Sequence, residues 1–475
     1  MLMPISGFAQ NDTIYFDPSG NRKQIDWRHE YDKVLTMKLI LSQSGYDGKL
    51  KRRDNGKSEV FMDFEGALEV IKKIDNLTLG IPKIIYLVGW QYNGHDSKYP
   101  AFFEANAALK RKEDDNALES LEWLMGEARK YHTTISLHIN MFDAYVDSPL
   151  WDIYVANDII ARNIDGTLRE GEWGYPISYA QEWKTGFAQK RIDSLLRILP
   201  IAQAGTIHID AFHTWAPIGG EGPGKAPFIK GPVSPYLGFS VSEESEAQRK
   251  IIDYWGANGV DVTSEGATFL REDTFEGYQP MAWWVDWGLQ EYMKWPASYY
   301  TGGVDRGDNG KLFGTSMHGE DLIRKDPENL TGFKNRFCTT TAVWYFLNQF
   351  ERQKYIEDKK GKKMFFSDGV VSSISDNGYT IVKDGNTLVH DNDVFIPALW
   401  MEGEHIIAYS MEGYQGKKWL LPKSWSKFSR ADLLEITING QNKLGTVKIV
   451  KGQIDISLKA DQMILIRPHR PEPHK

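Results

Sequence analysis

The chain has 475 residues, enough for one large enzyme-sized domain and a smaller one beside it. Hydrophobic residues make up 41% of the chain and charged residues 25%, which is typical of globular proteins and excludes a disordered or collagen-like chain. The net charge of −8 argues against nucleic acid as a partner, and the single cysteine, Cys338, excludes an intramolecular disulfide framework and a cysteine-rich metal site.

The first residues have the character of the last part of a secretory signal. Residues 1–10 are mostly apolar and end in Phe8-Ala9-Gln10, but they lack the positive head and long apolar stretch of a full signal. We interpret residues 1–25 as an export-signal remnant with an N-terminal arm, and we expect a periplasmic or extracellular protein. No apolar run approaches the roughly 18–20 residues of a membrane span, so we expect no membrane insertion.

Between about residues 80 and 290, short β-branched runs alternate with amphipathic helical runs. The predicted strands are 83–90, 133–139, 205–210, 260–264 and 279–285, and the predicted helices are 116–131, 182–199 and 242–255, the last with a capping box at Ser245 and Gln248. This alternation indicates a parallel sheet. We predict a (β/α)8 catalytic barrel over residues 26–355. The rival, a doubly wound sheet, usually shows a glycine-rich phosphate turn after its first strand, and this sequence has none.

Beyond about residue 355 the pattern changes to short alternating stretches separated by turns. Hairpin signals occur at 376–378, 383–386 and 438–440, and residues 445–466 alternate as a half-buried antiparallel sheet would. We predict a C-terminal β-sandwich over residues 356–475. The run Lys359-Lys360-Gly361-Lys362-Lys363 is interpreted as a solvated linker, with phosphate binding as the weaker alternative.

Polar residues gather where the predicted barrel strands end. They are His95 and Asp96 after the first strand, His138 and Asn140 at the second, His208 and Asp210 at the third, and Glu265 at the fourth. The carboxyl ends of barrel strands carry the active site in this fold. A pair of carboxylates on rigid strands is what glycoside hydrolysis needs, since one group protonates the leaving oxygen while the other attacks or shields the anomeric carbon. The structural alternative is that each carboxylate accepts loop amides or pairs with a lysine.

A metal site is the competing interpretation of the histidines. His208, Asp210 and His213, with His138 and His95, could be arranged around zinc or iron. Metal-dependent barrel hydrolases usually place two histidines two apart on the first strand, and no such pair occurs here. We therefore predict no catalytic metal and no cofactor, and we expect the histidines to hydrogen-bond hydroxyls or the carboxylates. Surface Asp and Asn clusters leave room for a structural calcium ion, although such clusters are usually solvated turns.

Aromatic residues crowd the stretch after the fifth predicted strand. Trp283, Trp284 and Trp287 are difficult to bury together in a core, so we expect that at least one of them stacks on a sugar face. A serine nucleophile lacks its Gly-x-Ser-x-Gly elbow, and Cys338 has no obvious base partner.

Several ordered motifs resemble those of a known family. They are Trp90-Gln91-Tyr92-Asn93-Gly94-His95-Asp96-Ser97, His138-Ile139-Asn140 with Asp143-Ala144-Tyr145, His208-Ile209-Asp210-Ala211-Phe212, Asn392-Asp393-Val394-Phe395-Ile396-Pro397 with Trp400, and Trp419-Leu420-Leu421-Pro422-Lys423-Ser424-Trp425. Taken in this order, they resemble the catalytic barrel and following β-domain of the endo-α-N-acetylgalactosaminidases, glycoside hydrolase family 101 with its smaller relatives. The likeness covers most of residues 30–470.

The resemblance implies a retaining α-glycosidase that removes α-linked N-acetylgalactosamine, or Gal-β-1,3-GalNAc, from Ser or Thr of mucin-type glycoproteins. Asp210 matches the nucleophile and Glu265 the general acid/base. His95 and Asp96 match residues that hold sugar hydroxyls, and His138 and Asn140 match residues of the pocket wall. The implied partner is a carbohydrate or glycoprotein substrate, with no obligate protein partner.

The chain departs from the family in two respects. The match at Glu265 extends little beyond the carboxylate, and a Gly/Pro-rich insertion at 217–235 lengthens its distance from Asp210. The extra β-domains of the large family members are not seen in this sequence. An exo-acting α-N-acetylgalactosaminidase or α-galactosidase therefore stays an alternative, as does a catalytically inactive carbohydrate-binding barrel.

Overall fold

The computed structural model describes residues 12–16, 27–47, 53–171, 173–212, 233–265, 278–281, 293, 312 and 323–470. Within these ranges, two large sheets organise the chain: a six-stranded parallel sheet in the N-terminal part and an eleven-stranded antiparallel sheet in the C-terminal part. The predicted α/β class is confirmed. In the described part of the chain, no helix is both long and apolar enough to cross a membrane.

The strands and helices of the N-terminal part follow the predicted alternation. Its strands are β1 (Asp12–Tyr15), β2 (Leu35–Ile40), β3 (Ser42–Asp47), β4 (Arg53–Val60), β5 (Lys83–Val88), β6 (Thr133–Ile139), β7 (Asp143–Ala144), β8 (Tyr175–Pro176), β9 (Thr206–Ile209), β10 (Asp261–Glu265) and β11 (Tyr278–Met281). Its helices are α1 (Phe64–Thr78), α2 (Ala117–Glu127), α3 (Trp151–Ala156), α4 (Tyr179–Lys184), α5 (Phe187–Ile198), α6 (Ile201–Ala204) and α7 (Val241–Ala257). The parallel sheet has the order β11-β10-β9-β6-β5-β2.

The two faces of the parallel sheet differ in chemistry. Side chains such as Ile85, Leu87 and Leu137 are fully buried in the main hydrophobic core, which they share with the helices. The residues between them, such as Tyr86 and His138, are equally buried, but they are polar and alternation places them on the opposite face. The sheet is therefore apolar beneath its helices, while its opposite face, called the inner face below, carries buried polar side chains together with apolar ones such as Ile84.

Two predicted helices need correction. The predicted helix 182–199 is two helices, α4 and α5, because Gly186 adopts a left-handed conformation between them with φ of +75°. The capping box of α7 is formed by Ser240 and Glu243, not by Ser245 and Gln248 as predicted. The Ser240 side chain accepts from the Glu243 amide while the Glu243 carboxylate accepts from the Ser240 amide, which satisfies two donors at the start of the helix.

The C-terminal part is an antiparallel sheet preceded by a helical stretch. The helices are α8 (Thr331–Arg336) and α9 (Ala342–Leu347), joined by a π-helical turn at Phe337–Thr341. The strands are β12 (Arg352–Asp358), β13 (Gly361–Phe366), β14 (Val370–Ser375), β15 (Gly378–Lys383), β16 (Asn386–His390), β17 (Asp393–Pro397), β18 (Ile406–Ser410), β19 (Tyr414–Leu420), β20 (Arg430–Thr437), β21 (Gly440–Lys448), β22 (Gln453–Leu458) and β23 (Gln462–Pro468). The turns predicted at 376–378, 383–386 and 438–440 each connect two paired strands.

The lysine-rich run at 359–363 is not a linker, as predicted, but the turn and first residues of the β12–β13 hairpin. Gly361 makes this turn with φ of +133°, and a Cβ there would lie 2.0 Å from the Ile374 carbonyl oxygen. Strand β1 pairs antiparallel with β12, so residues 12–15 form the edge of the C-terminal sheet. The predicted domain boundary at 355/356 falls inside β12.

A second β-layer covers part of the C-terminal sheet. Strands β19 and β22 pair with each other and pack on the large sheet through a separate core, in which the Phe395 and Trp419 rings stack at a centroid distance of 4.8 Å. The other face of the large sheet joins the main core, since Val394, Ile396 and Ile407 belong to it. The arrangement is a partial sandwich that shares a core with the N-terminal part.

Glu244 of α7 is a buried carboxyl between two helices. Its Oε1 accepts from Ser178 Oγ at 2.5 Å and its Oε2 accepts from the Ala180 amide at 2.8 Å, so it ties α7 to the start of α4. Burial raises the pKa of Glu244 from 4.5 to about 7, although the hydrogen bonds oppose this effect. The folded protein therefore binds this proton more tightly than the unfolded chain does.

The Glu244 carboxyl predicts a pH dependence of stability. Because its folded pKa is raised, its contribution is fully present below about pH 4.5 and is lost as the pH rises through about 7, an effect of about 3 kcal/mol. Glu244→Gln mimics the protonated form and should remove this component. Denaturant unfolding at pH 5 and pH 8 checks this, with Glu246→Gln on the exposed side of α7 as the matched control. An identical pH dependence in Glu244→Gln and wild type would contradict the prediction.

Candidate functional site

The loop after β5 carries His95 and Asp96, and strand β3 holds its main chain in place. The His95 amide donates to the Ser42 carbonyl at 3.0 Å, and the His95 carbonyl accepts from Ser44 Oγ at 2.6 Å. At Gly89, where this loop leaves β5, a Cβ would lie 1.9 Å from the Ser42 carbonyl oxygen. Only glycine permits this approach, which brings the loop across the end of the sheet.

Asp54 of β4 organises the same loop from the other side. Its carboxylate accepts from Asn93 Nδ2 at 3.0 and 2.8 Å and from Ser97 Oγ, and its amide donates to Asp147 Oδ2 at 3.0 Å. The Asp54 residue is only 7% exposed. This buried acceptor was missed by sequence analysis because no strand was predicted around it.

His138 and Asp210 meet at the carboxyl ends of β6 and β9. The Asp210 amide donates to the Ile139 carbonyl at 2.7 Å, which extends the ladder between these strands by one residue. His138 Nε2 lies 3.6 Å from Asp210 Oδ1. The His138 side chain is 2% exposed and the Asp210 side chain 18% exposed, so the carboxylate is the more accessible of the two.

A column of rings runs from this point into the inner face of the sheet. His95 and His138 have a ring-centroid distance of 5.3 Å, His138 and His208 of 5.2 Å, and His208 and Tyr86 of 5.3 Å. His208 Nδ1 lies 3.1 Å from Thr263 Oγ1, which is its register neighbour on β10. The column therefore connects side chains from β5, β6, β9 and β10.

The amino-terminal end of the column is closed by the segment before β2. Tyr31 OH lies 3.0 Å from both Thr206 Oγ1 and Asp261 Oδ2, which share its single proton, and the Arg28 amide donates to Asp261 Oδ2 at 2.8 Å. The Tyr86 hydroxyl shares the Thr206 Oγ1 at 2.7 Å. This hydrogen-bonded floor satisfies the polar groups at the buried end of the inner face.

The electrostatics of the site favour an ionised Asp210. Burial by itself raises the pKa of Asp210, but His138, Lys38 and His95 together lower it well below its usual range. Burial lowers the pKa of His138, and Lys38 lowers it further against the opposing effect of Asp210. At neutral pH this combination leaves an anionic carboxylate beside a neutral imidazole.

Lys38 was also missed by sequence analysis, although a signal was present. It is the only charged residue in strand β2, and the residue is 2% exposed. A lysine is almost never buried in this way unless it is paired. No strand was predicted at residues 35–40, so this lysine was not considered for the candidate site.

The other predicted residues are placed as follows. Asn140 Oδ1 accepts from the amides of Phe142 and Asp143 at 2.7 and 2.8 Å, and its Nδ2 donates to Asp143 Oδ2, so its side chain organises the turn after β6. Glu265 is the last residue of β10. It directly follows Ser264, the register partner of Ile209, and Asp210 directly follows Ile209. The side chain of Glu265 lies outside the described part. His213, Trp283, Trp284, Trp287 and residues 1–11 lie outside the described residues.

Three groups at the mouth of the site have the composition of a metal-binding set. One ligand atom each of His95, Asp96 and Asp210 lies within 4.8 Å of the others, and His95 Nε2 is 3.8 Å from Asp96 Oδ2. The same three groups suit sugar hydroxyls, which carboxylate and imidazole acceptors bind equally well. The absence of a catalytic metal stays a prediction.

The fold is similar to that of known glycosidases. The α-N-acetylgalactosaminidase NagBb from Bifidobacterium bifidum, in its Gal-NHAc-DNJ complex, matches with a TM-score of 0.51 and 11% identity over 74% of this chain and 58% of that chain. The GH36 α-galactosidase AgaA from Geobacillus stearothermophilus matches with a TM-score of 0.41 and 10% identity over 92% of this chain and 55% of that chain. The chain thus spans little more than half the length of these proteins.

The sequence of residues 54–230 matches the family model described as endo-alpha-N-acetylgalactosaminidase, glycoside hydrolase family 101. This segment contains His95, Asp96, His138, His208 and Asp210, so it includes most of the described site. The family match thus covers the segment that carries these residues, and the likeness to NagBb concerns the fold. The predicted resemblance of this chain to the endo-α-N-acetylgalactosaminidases is thereby confirmed.

Proposed function

We propose that this protein is a retaining glycoside hydrolase that cleaves α-linked N-acetylgalactosamine, alone or as Gal-β-1,3-GalNAc, from Ser or Thr of mucin-type O-glycans. The observation that carries this proposal is the ionised, partly accessible Asp210 at the end of β9, surrounded by polar groups of the segment that matches the family. A carboxylate in this state is suited to attack an anomeric carbon.

Asp210 is the proposed nucleophile and Glu265 the proposed general acid/base. Asp210 attacks the anomeric carbon while Glu265 protonates the departing Ser or Thr oxygen, and water deprotonated by Glu265 then releases the sugar with its configuration retained. Asp210 directly follows Ile209 and Glu265 directly follows Ser264, and Ile209 and Ser264 are partners in the sheet register. Neighbouring strands are about 4.8 Å apart in any sheet. This spacing favours the short carboxyl separation of roughly 5–5.5 Å that retaining enzymes use.

The remaining site residues are proposed to bind the sugar. His95 and Asp96 lie at the mouth of the site within reach of Asp210, where they can accept and donate hydrogen bonds to hydroxyls. His138 and His208 form the wall beneath them. Asn140 acts through the turn that it holds, and Trp283 or Trp284 supplies the proposed stacking surface.

We further propose that the parallel sheet belongs to a (β/α)8 barrel over residues 26–355 and that the protein is exported. A barrel is supported by the buried polar inner face, since a sheet packed by helices on both sides would be apolar on both faces. No metal, cofactor or protein partner is required by this mechanism.

Replacing Asp210 by Asn should abolish turnover, because the amide cannot form the glycosyl intermediate. We expect kcat on an aryl α-N-acetylgalactosaminide to fall by at least about a thousandfold, with substrate binding retained. Asp253→Asn, on the exposed side of α7, is the control and should keep full activity. Binding without turnover in the wild-type protein would instead favour the non-catalytic carbohydrate-binding barrel.

Replacing Glu265 by Gln should slow substrates with poor leaving groups far more than activated ones. We expect a loss of about 10²–10⁴-fold on a Ser- or Thr-linked glycopeptide and a smaller loss on an aryl glycoside. Added azide should restore turnover of the aryl glycoside and yield the α-glycosyl azide. Equal losses on both substrates, without azide rescue, would show that another residue is the acid/base.

Replacing Asp54 by Asn should disturb sugar binding without touching the proposed nucleophile. The carboxylate accepts from both ends of residues 93–97, and an amide offers one acceptor fewer to these donors. We expect KM to rise by about tenfold with a smaller change in kcat. Steady-state kinetics checks this, with Asp376→Asn in an exposed C-terminal turn as the control.

Product analysis on a mucin-type glycopeptide separates the proposed activities. Released Gal-β-1,3-GalNAc indicates endo action, whereas released monosaccharide indicates the exo-acting alternative. An initial product with the α configuration supports retention, and an initial β product would overturn the retaining mechanism.

A further inference from the structure

Ala211, the residue after Asp210, has an unusual backbone conformation for its position. Its φ is +49°, in the left-handed region that alanine rarely adopts because its Cβ approaches the following carbonyl oxygen. Leu79 and His132 share this conformation, but they end helices, where a left-handed residue is a common cap. Ala211 instead comes directly after the end of a strand, so surrounding contacts must hold it in this conformation.

Gln248 of α7 holds the chain immediately after Ala211. Its Nε2 donates to the Phe212 carbonyl at 2.8 Å, and the residue is 4% exposed. Sequence analysis placed Gln248 in a capping box, whereas the structure places it inside α7, where its amide reaches the turn after β9. A buried amide in this arrangement fixes the carbonyl that it binds, because neither group has water as an alternative partner.

The contacts around Phe212 form a closed set between α7 and α4. The Phe212 ring packs on the Tyr179 ring at a centroid distance of 5.1 Å. Tyr179 is flanked by the two residues at the start of α4 that bind the Glu244 carboxylate. Glu244 and Gln248 are four residues apart, so they lie on the same face of α7. Phe212 is therefore held through its ring and through its carbonyl by two helices that are themselves tied together.

The chain on the other side of Asp210 is held by the parallel sheet. The Ile209 carbonyl accepts from Ser264 Oγ at 2.7 Å, and the Asp210 amide donates to the Ile139 carbonyl at 2.7 Å. Asp210 thus lies between a strand end that the sheet fixes and a turn that Gln248 fixes. The direction of its side chain depends on both.

We propose that Gln248 is a positioning residue, which keeps Ala211 in its left-handed conformation and thereby sets the direction of the Asp210 side chain. When this hydrogen bond is lost, Ala211 can relax to an ordinary negative φ, and this relaxation rotates the main chain beside Asp210. A reacting group must stay within about 0.5 Å of its productive position, so such a shift slows the attack on the anomeric carbon. Only this kinetic effect rests on the function proposed above.

The first variant is Gln248→Met, which keeps the length of the side chain and removes the donor. We expect kcat on the aryl α-N-acetylgalactosaminide to fall by about a hundredfold. KM should change by less than about threefold, because the residues proposed to bind the sugar stay in place. A wild-type kcat in a folded Gln248→Met variant would overturn the proposal.

Ala211→Gly tests whether Gln248 acts through residue 211. Glycine adopts the left-handed conformation without steric cost, so the turn should need the glutamine less. Relative to Ala211→Gly, the double variant should lose less than about tenfold in kcat, against about a hundredfold for Gln248→Met relative to wild type. Equal losses in the two backgrounds would show that Gln248 acts by another route and would overturn the proposal.

Gln181→Met is the matched control for the loss of a glutamine donor. Gln181 Nε2 donates to the Asn157 carbonyl at 2.8 Å, so the same kind of bond is lost, but at the end of α3. This variant should lose stability and keep the wild-type kcat. A fall in kcat equal to that of Gln248→Met would show a general effect of helix destabilisation and would overturn the proposal.

A crystal structure of Gln248→Met tests the structural part of the proposal without any measurement of activity. We expect the φ of Ala211 to leave the left-handed region in this variant. An unchanged φ near +49° would overturn the proposal. Absence of hydrolysis in the wild type would refute the glycosidase assignment, while this structure would still decide the role of Gln248.

Discussion

The interaction on which the site depends is the one between the partly buried Asp210 carboxylate and the positive or polar groups that surround it. A carboxylate removed from water is stable in its ionised form only where such groups replace the lost solvation. His138 lies 3.6 Å away, and Lys38 and His95 also lower the pKa of Asp210. These three residues come from three different segments of the chain, so the charge balance exists only when the parallel sheet is assembled.

The polar inner face requires support at both ends. At the floor, Tyr31, Thr206 and Asp261 are joined by hydrogen bonds. At the mouth, Asp54 and strand β3 hold the loop that carries His95. A site built in this way is preorganised, because the groups that would meet a substrate are already held by hydrogen bonds to residues that would not.

The C-terminal sheet packs on two sides. One face contacts the second layer formed by β19 and β22, and the other face contacts the N-terminal part and stabilises it. Val394 and Ile396 belong to the same hydrophobic core as the helices around the parallel sheet, and Asn76 of α1 donates to the Ile438 carbonyl at 2.8 Å. Strand β1, from the beginning of the described chain, adds to this sheet through β12. The two parts are therefore expected to unfold cooperatively, since a shared core couples them.

The local pattern of the sequence by itself determined the alternation of strands and helices, the hairpin turns of the C-terminal part and the clustering of His95, His138 and Asp210 at strand ends. Periodicity and turn residues act over a few neighbours, so they can be read without the fold. Only the tertiary structure decided that Lys38 and Asp54 belong to the site and that residues 359–363 form a hairpin. The place of Lys38 and Asp54 depends on strand register and on contacts between distant segments, which no local pattern encodes. The hairpin is local, but its lysine-rich turn resembles a solvated linker until the pairing of β12 with β13 is known.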